Sequence, residues 1–130
     1  MTIIAYKTHK IQPNEALFTI LDRYLPKLQE NNIVAIASKI VGICEGRVVK
    51  KISDEQKYEL AKQEAEYYLP PEENKYGVML TINHNLIVAS AGIDESNSNG
   101  YLSLWPKDPQ QSVNEIRDFL TKKHQIKKLQ

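Results

Sequence analysis

Residues 77–100 read GVMLTINHNLIVASAGIDESNSNG, and this stretch decides the fold class of the chain. Two short β-rich runs, GVMLTI and LIVAS, stand on either side of the tripeptide NHN, a pattern that predicts a β-hairpin. A hairpin joins antiparallel neighbours directly, whereas parallel strands need a long crossover between them. The stretch therefore predicts antiparallel pairing rather than a series of βαβ units.

Other β-rich runs on both sides of the hairpin predict further short strands. The run IVAIA is continuous and apolar, which is typical of a strand buried on both faces. The run YLSLW alternates between apolar and polar residues, as a half-buried strand does. With the hairpin, these runs bring the total to about six strands. The additional strands are expected at residues 2–6, 33–37, 47–52 and 101–105.

Apolar residues that recur at intervals of three and four predict the first and third of about three helices, and the capping-box sequence SDEQ predicts a polar second helix. Pro26 would kink the first helix or stop it early. Ser53 and Asp108 are N-cap residue types placed before the second and third helices. The helices are expected over residues 15–28, over residues 54–68 and from residue 109 onward. The predicted fold is α+β, a mixed, largely antiparallel sheet with about three helices, in a single domain over residues 1–130.

Length and composition favour one globular domain. The chain has 130 residues, of which 42% are hydrophobic, enough to form a core. Seventeen basic and sixteen acidic residues leave a net charge of +1, so no overall field attracts nucleic acid or a membrane. The single cysteine forms no internal disulfide, and MTIIAYKTHK lacks the apolar core of a signal peptide. We expect a soluble, cytoplasmic protein.

The segment AGIDESNSNG, directly after the second hairpin strand, is the first candidate site. Asp94, Glu95, Asn97 and Asn99 carry the carboxylate and amide oxygens that Mg²⁺ or Mn²⁺ prefers, and nucleotide phosphates usually complete such a shell. Gly92 would let the backbone approach a neighbour closely or adopt a positive φ. The same residue types also form ordinary polar turns. From composition alone, both interpretations stay open.

The segment SKIVGICEGR, residues 38–47, is the second candidate. Ser38 and Lys39 follow the apolar run, so a hydroxyl and an ammonium suited to phosphate would stand at the end of that strand. A solvated strand end is the alternative interpretation. Glu45 and Arg47 flank a glycine and are expected to pair with each other.

Cysteine and histidine give weaker signals. Cys44 has no base near it in the sequence, which favours a small core residue over a nucleophile. The three histidines lack the spacing of a zinc site. His9 alone, in the loop THK before the first helix, is placed where it could face an anion.

Several segments, taken together, resemble one protein family. YKTHKIQPNEAL, IVAIASKIVGICEGRVV, SAGIDESN and LWPKDPQQSVNEIRDFL occur in the order and spacing of the coenzyme F-420-0:L-glutamate ligase (gamma-glutamyl ligase) family. The similarity covers nearly all of the chain, which resembles the N-terminal part of the family, and it looks closest to bacterial members described as folate-metabolism gamma-glutamate ligases. The resemblance implies a GTP- and metal-dependent ligase that joins an unidentified carboxylate substrate to the amine of L-glutamate, and it implies a homodimer.

Matching motifs carry the family's site residues onto this sequence. The resemblance implies that Asp94 is a ligand of Mn²⁺ or Mg²⁺ and that Asn97 contacts the nucleotide. Ser38 and Lys39 would line the nucleotide site. The loop that would cover this site consists of Thr8, His9, Lys10 and Ile11.

Two features differ from the family pattern. Many members have a nucleotide-contacting lysine in an SKAEGR pattern where this chain has GICEGR, with Ile43 in the place of the lysine. Members also continue past the third helix into a strand with an ITD-type motif that supplies a second metal-binding acid, and these 130 residues do not contain that half. At this point Ile126 and Leu129 would either lead into a strand or simply close a basic helix end.

Three hypotheses follow. The chain is an incomplete or partner-requiring portion of a gamma-glutamyl ligase, a non-catalytic module that binds nucleotide and metal, or a dimerisation domain that retains only the fold.

Overall fold

The computed structural model describes residues 2–96 and 100–130 and confirms the α+β fold. The helices of these residues are α1 (Leu17–Tyr24), α2 (Ser38–Cys44), α3 (Asp54–Glu64) and α4 (Pro109–His124). The strands are β1 (Val48–Lys50), β2 (Tyr67–Leu69), β3 (Leu80–Asn83), β4 (Leu86–Ala89) and β5 (Tyr101–Ser103). Short 3₁₀ turns lie at Pro71–Glu73 and Ser90–Gly92. Within the described ranges, no helix is long and apolar enough to cross a membrane.

The strands form two small antiparallel sheets. One contains β1 and β5, and the other has the order β2-β3-β4. The predicted hairpin is confirmed: β3 and β4 pair with Thr81 opposite Val88. His84 and Asn85 at its tip have φ values of 48° and 61°, as a two-residue type I′ turn requires.

Two apolar clusters form the interior. The helical cluster consists of Leu21, Leu28, Val41, Ile116, Leu120 and Leu129. The sheet cluster consists of Ala61, Met79, Ala91, Ile93, Leu102 and Leu104. Helix α2 lies between them, because Val41 belongs to the helical cluster while Gly42 faces β5. A Cβ on Gly42 would lie 2.2 Å from the carbonyl oxygen of Leu104, so only glycine permits this approach.

The strand predicted at residues 2–6 is wrong. The side chains of Ile3 and Ile4 are 83% and 64% exposed, and this segment pairs with none of the described strands. A β-rich composition measures how well a segment fits a half-buried pleated surface. The described residues offer this segment no such surface.

Residues 33–37 are extended but are not buried on both faces. Ile33 is 65% exposed, whereas Val34 packs against the helical cluster. The backbone N–H of Val34 donates to the carbonyl of Gln130 at 2.7 Å, and the N–H of Gln130 donates to the carbonyl of Asn32 at 3.1 Å. The chain therefore continues past α4 in extended form, with Leu129 buried against the helical cluster.

The sequence failed to predict helix α2. Ser38 and Lys39 are the first residues of this helix and not the end of a strand, which brings the helices of the described residues to four. The sequence SKIVGIC contains β-branched residues and glycine, which are weak helix formers. Burial of Val41 and the close approach of Gly42 to β5 outweigh that weak propensity.

Helix α3 is shorter than predicted, and the predicted N-caps are confirmed. It ends at Glu64, and residues 67–69 form β2 against β3 instead of a last helical turn. The Ser53 hydroxyl accepts from the N–H of Gln56 at 3.2 Å. Asp108 caps α4 by accepting from the N–H of Gln111 at 2.9 Å, with Pro109 at the first helical position. In α1 the proline acts as a stop, because the helix ends at Tyr24.

Candidate functional site

A left-handed turn follows β4. Ser90, Ala91 and Gly92 have φ values of 47°, 52° and 76°. This conformation costs a non-glycine residue roughly 1–2 kcal/mol. Two consecutive non-glycine residues therefore adopt it only because the surrounding structure holds them there.

Two buried polar side chains of β3 hold the turn. The hydroxyl of Thr81 accepts from the N–H of Ala91 at 2.8 Å and donates to the carbonyl of Val88. The side-chain amide of Asn83 donates to the carbonyl of Ala91 at 3.1 Å. Thr81 is 2% exposed and Asn83 is 4% exposed, so no water competes for these bonds. Sequence reasoning missed both residues; Asn83 lies next to the hairpin tip, whereas Thr81 lies two residues further into the strand and gave no signal.

Gly92 has both properties predicted for it. Its φ is 76°, and a Cβ at this position would lie 2.3 Å from two atoms of the Trp105 indole. The ring therefore packs directly on the backbone of the turn. Any larger residue would push the turn away from the Trp105 ring.

Asp94 stands two residues beyond this turn, and its backbone is fixed against β5. Its N–H donates to the carbonyl of Ser103 at 2.9 Å, and the N–H of Ser103 donates back at 2.8 Å. The Ser103 hydroxyl also donates to the Asp94 carbonyl at 3.1 Å. The carboxylate is thus carried on a rigid backbone while its side chain remains 39% exposed.

Lys39 and Ser96 surround the Asp94 carboxylate. The Oδ1 atom accepts from the backbone N–H and from the hydroxyl of Ser96, both at 2.7 Å. The Oδ2 atom accepts from the Nζ of Lys39 at 2.9 Å. The same ammonium donates to the carbonyl oxygen of Ser96. Lys39 reaches this position from the first turn of α2, so the two candidate segments do meet.

The Asp94 carboxyl group is ionised at neutral pH. Its partial burial opposes ionisation, but the hydrogen bonds from Lys39 and Ser96 and the charge of Lys39 outweigh burial and lower its pKa from 3.8 to about 2. An anionic oxygen is the form that binds a hard cation.

These residues fit a cation that is shared with a phosphate-bearing ligand. Within residues 2–96 and 100–130, no three His, Cys, Asp or Glu side chains come together as a metal-binding group. Among the described residues, the candidate donor oxygens are those of the Asp94 carboxylate and the Ser96 carbonyl, which Lys39 contacts. Mg²⁺ is commonly held by one or two carboxylates together with substrate phosphates and water, so this donor set suits a nucleotide-bound ion and not a protein-only metal centre.

The N-terminal loop is engaged elsewhere in the structure. The two ring nitrogens of His9 contact the Tyr24 hydroxyl at 2.8 Å and the Glu15 carboxylate at 2.6 Å. The Thr8 hydroxyl donates to the carbonyl of His9, and Ile11 is buried. Lys10 is exposed. Within the described part of the chain, no hydrogen bond connects these four residues to Lys39 or Asp94.

The remaining candidate residues come from the start of α2 and from the segment that follows Asp94. Ser38 is exposed at the start of α2. Asn97, expected to contact nucleotide, lies outside the described residues, as does Asn99. Glu95 pairs with Lys51 at 2.9 Å.

Two expectations about the segment after α2 have different outcomes. The Glu45–Arg47 pair is wrong: Arg47 pairs with Glu64 of α3, and Glu45 accepts from the Ser112 hydroxyl of α4 at 2.7 Å. Burial, with the nearby charges of Glu15 and Glu45, raises the pKa of the Cys44 thiol from 9.0 to about 11. Such a thiol is protonated at neutral pH, consistent with a structural role.

Comparison with known proteins identifies the class and then a particular relative. The family model F420-0:gamma-glutamyl ligase matches residues 5–128, so the chain belongs to that family. The chain is 29% identical over 133 aligned residues to the coenzyme F420:L-glutamate ligase of Methanococcus maripaludis (strain C6), an alignment that covers 90% of this chain. It covers 53% of the archaeal protein, so the chain spans about half the length of this curated relative.

Proposed function

We propose that this chain carries the nucleotide- and metal-binding part of a GTP-dependent gamma-glutamyl ligase. Family membership supports the ligase class, and the carboxylate–ammonium–carbonyl arrangement of Asp94, Lys39 and Ser96 supports the placement of the ligand site. Because the chain spans about half of the archaeal relative, a further segment or partner chain is proposed to complete the substrate sites.

In this proposal, anionic and carbonyl oxygens bind the metal, and cationic and hydroxyl groups bind the nucleotide phosphates. The Asp94 carboxylate and the Ser96 carbonyl would hold Mg²⁺ or Mn²⁺. Lys39, with the exposed hydroxyl of Ser38, would bind nucleotide phosphates. Asn97 would contact the nucleotide, and the loop Thr8, His9, Lys10 and Ile11 would lie over the site.

The proposed reaction has two transfers. A carboxylate oxygen of the acceptor substrate attacks the γ-phosphorus of GTP, the bond from that phosphorus to the bridging oxygen breaks, and GDP leaves. The amine of L-glutamate then attacks the carbonyl carbon of the acyl phosphate, phosphate leaves, and the nitrogen loses a proton to give the amide. A bound divalent ion supplies neutralisation of negative charge on the transferring phosphoryl group.

Ligand-induced stabilisation tests the binding part of the proposal. A ligand that binds only the folded chain stabilises it by about 2.7 kcal/mol at one hundred times its Kd, so GTP with Mn²⁺ is expected to raise the Tm clearly. Asp94→Ala should remove the shift, and Asp118→Ala, at an exposed carboxylate on α4, should retain it. An unchanged Tm for the wild-type chain would contradict the proposal.

Complementation tests catalysis. The chain would be mixed with a polypeptide corresponding to the half of the archaeal ligase that it does not match, together with GTP, Mn²⁺ and labelled L-glutamate. Glutamyl product that depends on both polypeptides is the expected result. Nucleotide binding without product would instead favour a non-catalytic binding module.

We further propose a homodimer that uses the exposed face of the β2-β3-β4 sheet. Tyr67, Ile82 and Ile87 lie in one cross-strand row and are 71%, 36% and 81% exposed. Sedimentation analysis should show a dimer that Ile87→Lys dissociates. Val113→Lys, at an apolar residue 56% exposed on α4, is the matched control and should remain dimeric. A monomeric wild type would refute this assembly.

A further inference from the structure

The ammonium of Lys39 lies between two oxygens of the candidate site. Its Nζ lies 2.9 Å from Oδ2 of Asp94 and also contacts the carbonyl of Ser96. These are the two protein oxygens that the proposed function assigns to the divalent cation. The ammonium is therefore bound as a cation by the same donors.

A metal ion and this ammonium cannot both lie between Oδ2 of Asp94 and the Ser96 carbonyl. A Mg²⁺–oxygen bond is about 2.1 Å long, so an ion that bound both oxygens would fill the space that Nζ occupies. Two like charges at such a separation repel each other strongly, the more so in a partly buried site. Binding of a metal to both of these oxygens thus requires Lys39 to leave.

We propose that Lys39 is an internal competitor for the metal position, displaced when a nucleotide phosphate offers it another anion. The inference rests on the proposed function of this site. Lysine suits an exchange of this kind because its charge sits on a flexible four-carbon stem, and the lysine side chain here is 26% exposed. Phosphate would take over the ammonium, and the divalent ion would take over the Asp94 and Ser96 oxygens.

The exchange couples metal and nucleotide binding. Without nucleotide, a metal must displace Lys39 while the ammonium gains no new partner, so metal affinity is low. With nucleotide, the displaced ammonium binds phosphate, so metal affinity rises. Thermodynamic linkage requires the metal to increase nucleotide affinity by the same factor.

Neighbouring lysines do not take part in this competition. Lys51 pairs with Asp54 at 2.6 Å and with Glu95 at 2.9 Å, and Lys57 lies 3.7 Å from Glu95. Both therefore act on the adjacent carboxylate, which makes Lys51 a suitable control.

The test measures Mn²⁺ affinity by calorimetry for the wild type, Lys39→Met and Lys51→Met, each with and without the non-hydrolysable analogue guanosine 5′-(β,γ-imido)triphosphate. Without the analogue, Lys39→Met should bind Mn²⁺ about tenfold more tightly than the wild type, within the usual range of coupling between sites. The analogue should tighten Mn²⁺ binding in the wild type and in Lys51→Met but much less in Lys39→Met. Circular dichroism establishes that each variant is folded.

Different results would overturn the Lys39 exchange and the proposed function. Equal or weaker Mn²⁺ binding by folded Lys39→Met, with binding retained by the wild type, would overturn the exchange and leave the proposed function in place. Absence of Mn²⁺ binding in every protein, with and without the analogue, would overturn the proposed function itself.

Discussion

The N-terminal loop and the turn around Asp94 were predicted to serve the same ligand, yet they are built differently. In the loop, both ring nitrogens of His9 already contact side chains of α1 and the segment before it. In the turn, Asp94 is fixed by buried supports, and its outer partner is a lysine with a flexible stem. The two regions thus differ in their support: a fixed backbone carries Asp94, whereas the side chains of the loop hold one another.

The largest effect expected is on the turn itself, through Gly92→Ala. The added methyl requires a left-handed alanine and collides with Trp105, so unfolding free energy should fall by about 2–4 kcal/mol. Gly77 is the matched control, because it also has a positive φ but a Cβ added there would meet nothing within 4 Å. Gly77→Ala should cost only about 1 kcal/mol. Equal losses in urea titrations would show that Trp105 does not constrain the turn.

Removing an internal support should have the next largest effect. Thr81→Val keeps the shape of the side chain but leaves the Ala91 N–H without its acceptor, which should cost about 1–3 kcal/mol. Thr19→Val, at an exposed position on α1, should change stability by less than about 0.5 kcal/mol. Chemical denaturation of both variants checks the difference, and similar values would contradict the supporting role of Thr81.

Asp94→Asn should weaken stability moderately and in a pH-dependent manner. The folded-state pKa of about 2 lies below the ordinary 3.8, so the contribution is present above pH 4 and is lost as the pH falls through 2. Allowing for solvent screening of this exposed group, the loss at neutral pH should be about 1 kcal/mol. The wild type and the variant should converge near pH 2 in denaturation curves. A constant difference at all pH values would refute the ionic origin.

The smallest effect is expected in the N-terminal loop, through Glu15→Gln. The backbone N–H of Gln12 and then the His9 ring lower the pKa of Glu15, so any contribution is present above the ordinary 4.5 and fades at lower pH. Because such exposed pairs stabilise little, the Tm should change by no more than about 3 °C at pH 7. Calorimetry measures this change in Tm. A larger decrease would contradict the prediction and show that the loop stabilises the fold as much as the turn does.

The sequence correctly predicted those features that depend on short-range interactions along the chain. The hairpin, the N-caps Ser53 and Asp108 and the glycine of the turn were all predicted correctly, because each depends on residues close to one another in the chain. The prediction that Asp94 is a metal ligand came from family resemblance and not from composition.

The sequence did not predict the features that depend on packing between distant parts of the chain. Helix α2 exists because Gly42 fits against β5, and the backbone partners of residues 31–34 lie at residues 128–130. Neither relation leaves a local pattern. Thr81 and Asn83 were missed for the same reason, since an alternating strand pattern does not show which polar residue faces inward.

The pairing of residues 31–34 with residues 128–130 also bears on the order of folding during synthesis. The sheet cluster draws on residues 61–104 and is complete once that stretch has left the ribosome. The helical cluster needs Leu129, so the packing of Leu21 and Leu28 is complete only after more than one hundred further residues have been synthesised. Contacts between such distant parts of a chain form slowly, and apolar surface exposed in the meantime is prone to aggregate. Helix α1 is therefore synthesised early, but the cluster that buries its Leu21 side chain is completed near the end of these 130 residues.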